Sequence, residues 1–302
     1  MAPFYHRKFW EYCYVCQVLF AEGKLAPEQS GLGFGCGVEP LPSLFVKYGA
    51  RVLATDLDRD HTDAEAWQIS REHGASAEAL RHRDICADEE RLADIDFRPV
   101  DMNAIPRDLD GQFDFCWSTC AFEHLGTLAN GLAFVENSLR TLRPGGVAVH
   151  TTEFTFNCGE TIDNNPTVLY QERHLIELIA RLRDQGYQVA DLDLSPGSGV
   201  LDCFVDLPPF SHDLLLLRPP YAHLKLAIDG YTCTSVGLII KVCGFMARRV
   251  EVPVLADRSG DGGIEPGRAN GAVGFATLRF VVVPDRPRLM GQGGWLALAA
   301  PR

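Results

Sequence analysis

The sequence predicts an α/β fold, a mostly parallel sheet with helices on both faces. Three observations predict it. Short apolar runs alternate with segments of helical period, the pattern of strand–helix–strand units. A glycine-rich turn stands early in the chain, Gly31-Leu32-Gly33-Phe34-Gly35-Cys36-Gly37-Val38-Glu39. Asp56 then ends the next apolar run, about 20 residues on, where an acid can accept hydrogen bonds from a ribose diol. Right-handed crossovers bring the strand tips and their loops to one edge of such a sheet. That edge is where a nucleoside-containing cofactor is expected.

The elements follow in order. Residues 4–22 are rich in aromatic and aliphatic side chains and predict a helix packed on the main domain. A linker at 25–30 leads into the glycine turn. Leu41, Leu44, Phe45 and Tyr48 recur at helical spacing, and Gly49 stops that helix. Strand two is Arg51–Asp56. Residues 60–95 form a long polar connection with helical stretches at 63–73 and 88–93. Strands are expected at 97–101, 113–118 and 147–151, with a helix at 132–142 and a turn at 143–146. A helix at 173–185, closed by Gly186, precedes a sixth strand at 187–192. The apolar run 232–242 is the seventh. Residues 252–302 keep no helical period and are expected to form a small β-like or loosely ordered appendage. The expected domains are an N-terminal helical segment (1–30), a main domain (31–245) and a C-terminal extension (246–302).

The bulk properties narrow the partners. Forty acids against 28 bases give a net charge of −12, which disfavours a phosphate backbone as partner. Ten cysteines in a chain of this length read as reduced, buried thiols of a cytoplasmic protein. Cys13 and Cys16 have no second pair at zinc-ribbon spacing. No uncharged run reaches the roughly 18 residues of a membrane span. A homodimer is left open.

The glycine turn discriminates between cofactors. A dinucleotide fingerprint needs Gly-x-Gly-x-x-Gly, but the sixth position is Cys36 counting from Gly31 and Val38 counting from Gly33. The alternation Gly33-x-Gly35-x-Gly37 resembles instead the loop of class I S-adenosylmethionine-dependent methyltransferases. Asp56, Val100-Asp101-Met102, Phe113-Asp114 and Leu142-Arg143-Pro144-Gly145-Gly146 follow in that family's order and spacing. Cys120-Ala121-Phe122-Glu123-His124-Leu125 also looks like the segment after strand four in many small-molecule methyltransferases.

The resemblance implies a Rossmann-like, seven-stranded sheet whose last strand is antiparallel. It implies S-adenosylmethionine as cofactor and S-adenosylhomocysteine as product. Gly33, Gly35 and Gly37 would pass close to the methionine and ribose. Asp56 would take the ribose hydroxyls and Asp101 the adenine amino group. Met102 would cover the ring, and Ser118 would sit near the methionine portion. The family usually carries an acid two residues before the first loop glycine. Here that position is Gly31, so Glu39 or a backbone carbonyl would serve in its place.

Methyl transfer needs positioning of the acceptor and, for a hydroxyl, a base. His124 follows strand four, and His150 and Glu153 follow strand five; these are the catalytic candidates. Histidine titrates near neutrality. An acid beside Phe154 and Phe156 is in a setting that raises its pKa. A metal held by His150, Glu153 and Asn157 lacks a third strong ligand, so none is expected. Trp67, Gln68, His73, His223 and Lys225 are candidate liners of an acceptor pocket. The expected activity is methylation of a small molecule or sugar at oxygen. The alternatives are an NAD(P)-dependent oxidoreductase on the same sheet and a non-catalytic scaffold.

Overall fold

The computed structural model describes residues 5–58, 61, 73–74, 76–208, 210 and 222–243. The chain divides into two units, Met1–Val250 and Glu251–Arg302, and everything described lies in the first. The expected helix at 63–73 (except His73), Trp67, Gln68 and the appendage after residue 252 fall outside the described residues.

Among the described residues eight strands form one sheet: β1 (Ser30–Gly33), β2 (Arg51–Asp56), β3 (Ile95–Pro99), β4 (Phe113–Thr119), β5 (Leu142–Thr155), β6 (Gln188–Val189), β7 (Leu226–Ile228) and β8 (Tyr231–Lys241). Their order is β3-β2-β1-β4-β5-β8-β6, with β7 paired to β8. The first five run parallel. β8 runs antiparallel to β5 and to β6. This is the expected Rossmann-like sheet with one addition. β7 and β8 form a hairpin around Asp229 and Gly230, both at positive φ, the backbone a two-residue hairpin turn requires.

The central strands are buried on both faces, as parallel sheets are. Along β4 the side chains alternate. Phe115 and Trp117 join α1 (Arg7–Ala21) and α2 (Leu41–Lys47) in one core with Val18, Leu19, Phe45 and Val149. Cys116 joins α4 (Leu128–Ser138) and α5 (Glu172–Asp184) in the other, with Phe134, Leu178, Ala148 and Ile240. Between β2 and β3 lies the short α3 (Glu89–Leu92), capped by Asp88.

Several boundaries move for local reasons. β3 ends at Pro99, so Asp101 is outside it, and its side chain caps a 3-10 turn by accepting from the Asn103 amide. α4 begins at Leu128 because Thr127 caps it, and its C-terminal end tightens into a 3-10 turn at Leu139–Thr141. The sixth strand shrinks to two residues at the sheet edge. Short edge strands guard against unwanted pairing. Among the described residues no helix is long and apolar enough to cross a membrane.

Candidate functional site

The strand order reverses between β1 and β4, and ligands of open α/β sheets bind beyond the carboxyl ends of the strands at that point. The glycine turn lies there. Gly33 is still in β1, where a Cβ would meet Cys36 Sγ and the Trp117 ring. The turn itself needs Gly35 and Gly37, both in the left-handed region at φ +59° and +54°. A Cβ on Gly35 would stand 2.9 Å from Ala121 Cβ and 3.3 Å from Met102 Sδ. Met102 is buried beside the turn.

Asp56 closes the turn from β2. Its Oδ2 accepts from the amides of Gly37 (3.0 Å) and Gly74 (2.8 Å), and its Oδ1 accepts from Leu57 (2.8 Å). Burial pushes this carboxyl up, and the three amides pull against that shift. His73 anchors the neighbouring segment through the Leu57 carbonyl at 2.9 Å.

Gly31, where the family carries an acid, faces the Phe115 ring, and a Cβ there would come within 2.2 Å of it. Glu39 is buried in the same neighbourhood. Its carboxylate accepts from Trp117 Nε1 (2.6 Å) and Thr119 Oγ1 (2.5 Å). Burial raises its pKa to about 7.

Beyond β4 the chain turns at Cys120, a non-glycine residue at φ +44°. Backbone in this region costs of order 1 kcal/mol or more and tends to mark functional sites. The turn sets the Cys120 thiol against Glu11 Oε1 at 2.9 Å and brings Arg7 Nη1 to 3.2 Å from it. Arg7 also pairs with Glu153, and Lys8 reaches the Thr119 carbonyl at 2.8 Å and Glu11 at 3.4 Å. Glu11 is fully buried. Burial works against its charge, but Lys8, Arg7, Cys120 and Ser235 outweigh burial, so its carboxyl lies below the usual range.

Glu123 and Glu153 complete this edge. Glu123 Oε2 accepts from Thr152 Oγ1 at 3.0 Å. Burial raises the pKa of both carboxyls. His124 Nδ1 donates to the Pro166 carbonyl at 2.9 Å, which fixes the tautomer with Nε2 as the acceptor nitrogen. Burial lowers its pKa, so the ring is neutral near pH 7.

The structure separates the remaining candidates from this cluster. His150 and Glu153 are an odd number of residues apart on β5 and so face opposite sides of the sheet. His150 is fully buried, with Nδ1 on Ser118 Oγ (2.8 Å) and Nε2 on Ser138 Oγ (3.1 Å). Burial drops its pKa to about 3. Both ring nitrogens are committed, so the expected role as base does not fit this geometry. Ser118, expected beside the methionine portion, is turned into the same core. Asn157 bonds Thr155 and the Thr232 amide, away from His150. Lys225 donates to the Pro196 and Asp202 carbonyls, and His223 pairs with Asp206. Among the described residues no cluster suited to a metal ion occurs.

The sequence places the Cys120–Leu125 segment, with Glu123 and His124, at this edge, but does not by itself bring Arg7, Lys8 and Glu11 to it. The available signal was three charged residues in the first turns of an otherwise aromatic helix.

Comparison with known proteins places these features. Residues 32–150 match a methyltransferase domain. The matched stretch runs from β1 to the middle of β5, and so takes in the glycine turn, Asp56, Met102, Glu123 and His124. No match was found among curated proteins. Among solved structures, the 4+2-cyclase SpnF is 17% identical, with 76% of this chain and 81% of that chain covered and a TM-score of 0.50. Magnesium protoporphyrin IX methyltransferase from Synechocystis PCC 6803 with bound SAH is 13% identical over 76% and 81%, TM-score 0.44. A 1,6-didemethyltoxoflavin-N1-methyltransferase from Burkholderia thailandensis is 15% identical over 77% and 78%, TM-score 0.41. At these identities the likeness establishes the fold, which is the Rossmann-like methyltransferase fold.

Proposed function

We propose that the protein is an S-adenosylmethionine-dependent methyltransferase acting on a small molecule. The observation that carries this reading is the left-handed glycine pair, Gly35 and Gly37, with Met102 against it and the Asp56 carboxylate across it. The crowding at Gly35 leaves no room for a side chain where a ligand would meet backbone. Gly33, Gly35, Gly37, Asp56 and Met102 would hold the nucleoside, with Asp101 at the adenine end and Glu39 toward the amino-acid end. When bound, the cofactor supplies an electrophilic methyl group on a sulfonium. The chain's own task is then to exclude water, aim the acceptor and receive a proton. His124, neutral with Nε2 as acceptor, is suited to take that proton, and Glu153 is suited to orient the acceptor.

The methyltransferase domain matched over residues 32–150 supports the reaction class. A second reading draws on SpnF, a cyclase with the same fold, since fold alone does not fix the reaction.

Calorimetry with S-adenosylmethionine, S-adenosylhomocysteine and NAD tests the proposal. The first two should bind at micromolar Kd, and Asp56→Ala should weaken them at least tenfold. Preference for NAD, or no binding of either, would sink the reading. Tight binding without turnover on any acceptor would favour the cyclase-like alternative.

A further inference from the structure

We propose that Glu123 and Glu153 form a subsite for an ammonium group on the acceptor, so that the substrate is a small-molecule amine. The inference rests on reading this edge as a methyl-transfer site, and it goes beyond that reading by naming the acceptor's chemistry.

The argument is one of charge and unmet hydrogen bonds. Four carboxylates are buried at this edge, Glu11, Glu39, Glu123 and Glu153. Among the described residues the cations facing them are Arg7 and Lys8, and His124 is neutral. Two of the acids are held by partners of their own, although Glu11 Oε2 has no hydrogen bond and only Lys8 Nζ at 3.4 Å. Glu11 is held by Lys8, Arg7, Cys120 and Ser235. Both Glu39 oxygens accept from β4 side chains.

The other two acids are left short. Glu123 is fully buried, and its Oε1 has no hydrogen-bond partner. Glu153 is 3% exposed and gives Oε1 to Arg7, while its Oε2 has no partner. Glu123 is tied to β5 through Thr152, the residue before Glu153, and its charge is felt at Glu153.

An ammonium group matches this pair. It carries a positive charge and up to three donors with no acceptor, whereas a hydroxyl brings one donor and no charge. The cofactor's own amino-acid ammonium is the other source of that chemistry. Position favours the acceptor. The glycine turn leaves β1 and Asp56 ends β2, whereas Glu153 lies on β5, two strands from β1 and roughly 10 Å across the sheet.

The test uses ligand-observed NMR on the full chain, with S-adenosylhomocysteine titrated first. Benzylamine and butylamine are then compared with benzyl alcohol and butanol. The amines should bind at least tenfold more tightly than the matched alcohols. Glu123→Gln and Glu153→Gln should each erase that preference while changing S-adenosylhomocysteine affinity less than twofold. If Glu153→Gln fails to fold for want of the Arg7 pair, Arg7→Met combined with Glu153→Gln removes both charges and is read the same way. Equal binding of amines and alcohols, or no binding of either, overturns the subsite. So does a loss of S-adenosylhomocysteine affinity in the variants with the amine preference intact. Amine selectivity in a protein that does not bind S-adenosylhomocysteine would leave the subsite standing and remove the methyltransferase reading instead.

Discussion

His150 illustrates how a residue suited to catalysis becomes part of the core. Its ring sits between Phe122 and Phe134 with centroids 6.4 and 5.4 Å away, and two serines satisfy its nitrogens. The cost of this placement falls on acid stability. In the unfolded chain the imidazole takes up a proton below about pH 6.5, but in the folded protein it does so only near pH 3. Its contribution is therefore complete above pH 6.5 and is lost as pH falls toward 3. Between pH 7 and 5 the loss is on the order of 2 kcal/mol. Denaturant titrations at the two pH values should show the native protein losing about that much more than His150→Gln. Identical losses would mean the ring is not held neutral. Strand parity alone could have separated His150 from Glu153, because odd spacing on β5 cannot put both in one site. What parity could not reveal is which face the cleft would use, since that depends on where α1 packs.

At the level of elements, β1 and β4 explain the departure at Gly31. The Phe115 ring fills the space above Gly31 and packs edge-on to Phe45, with centroids 5.6 Å apart. An acid restored there would be driven into a dry aromatic layer. Gly31→Asp is expected to prevent folding. Gly31→Ala should destabilise by about 2 kcal/mol through overpacking, and adding Phe115→Leu should return part of that loss. Thermal melts of the three variants decide it, and an unperturbed Gly31→Asp would refute the packing account. Elements defined by apolar runs were legible in the sequence: β2 was read residue for residue, and β4 and β8 to within one. The glycine turn was legible as well, although Gly33 proved to be strand and the left-handed pair fell at Gly35 and Gly37. β7 escaped because three residues carry too little periodicity. The role of α1 escaped because its partners, at residues 119, 120, 153 and 235, are remote in sequence.

For the molecule as a whole, a ligand that binds only the folded state stabilises it by mass action. At a hundredfold excess over Kd the gain is about 2.7 kcal/mol. S-adenosylhomocysteine should accordingly raise the melting temperature of the native protein by several degrees and leave Asp56→Ala nearly unmoved. Equal shifts in both would place the ligand away from the glycine turn.

The buried carboxylate of Glu11 has a further consequence in the order of folding. It shares a hydrogen bond with Ser235, 224 positions along the chain. Helix α1 precedes β4, β5 and β8 in the chain, so its charged first turns have no dry destination until those strands exist. Contacts this distant in sequence pay their loop-closure entropy before they return anything. Docking of α1 is therefore expected as a late step of folding, and until then its aromatic face is open to chaperones and to other nascent chains.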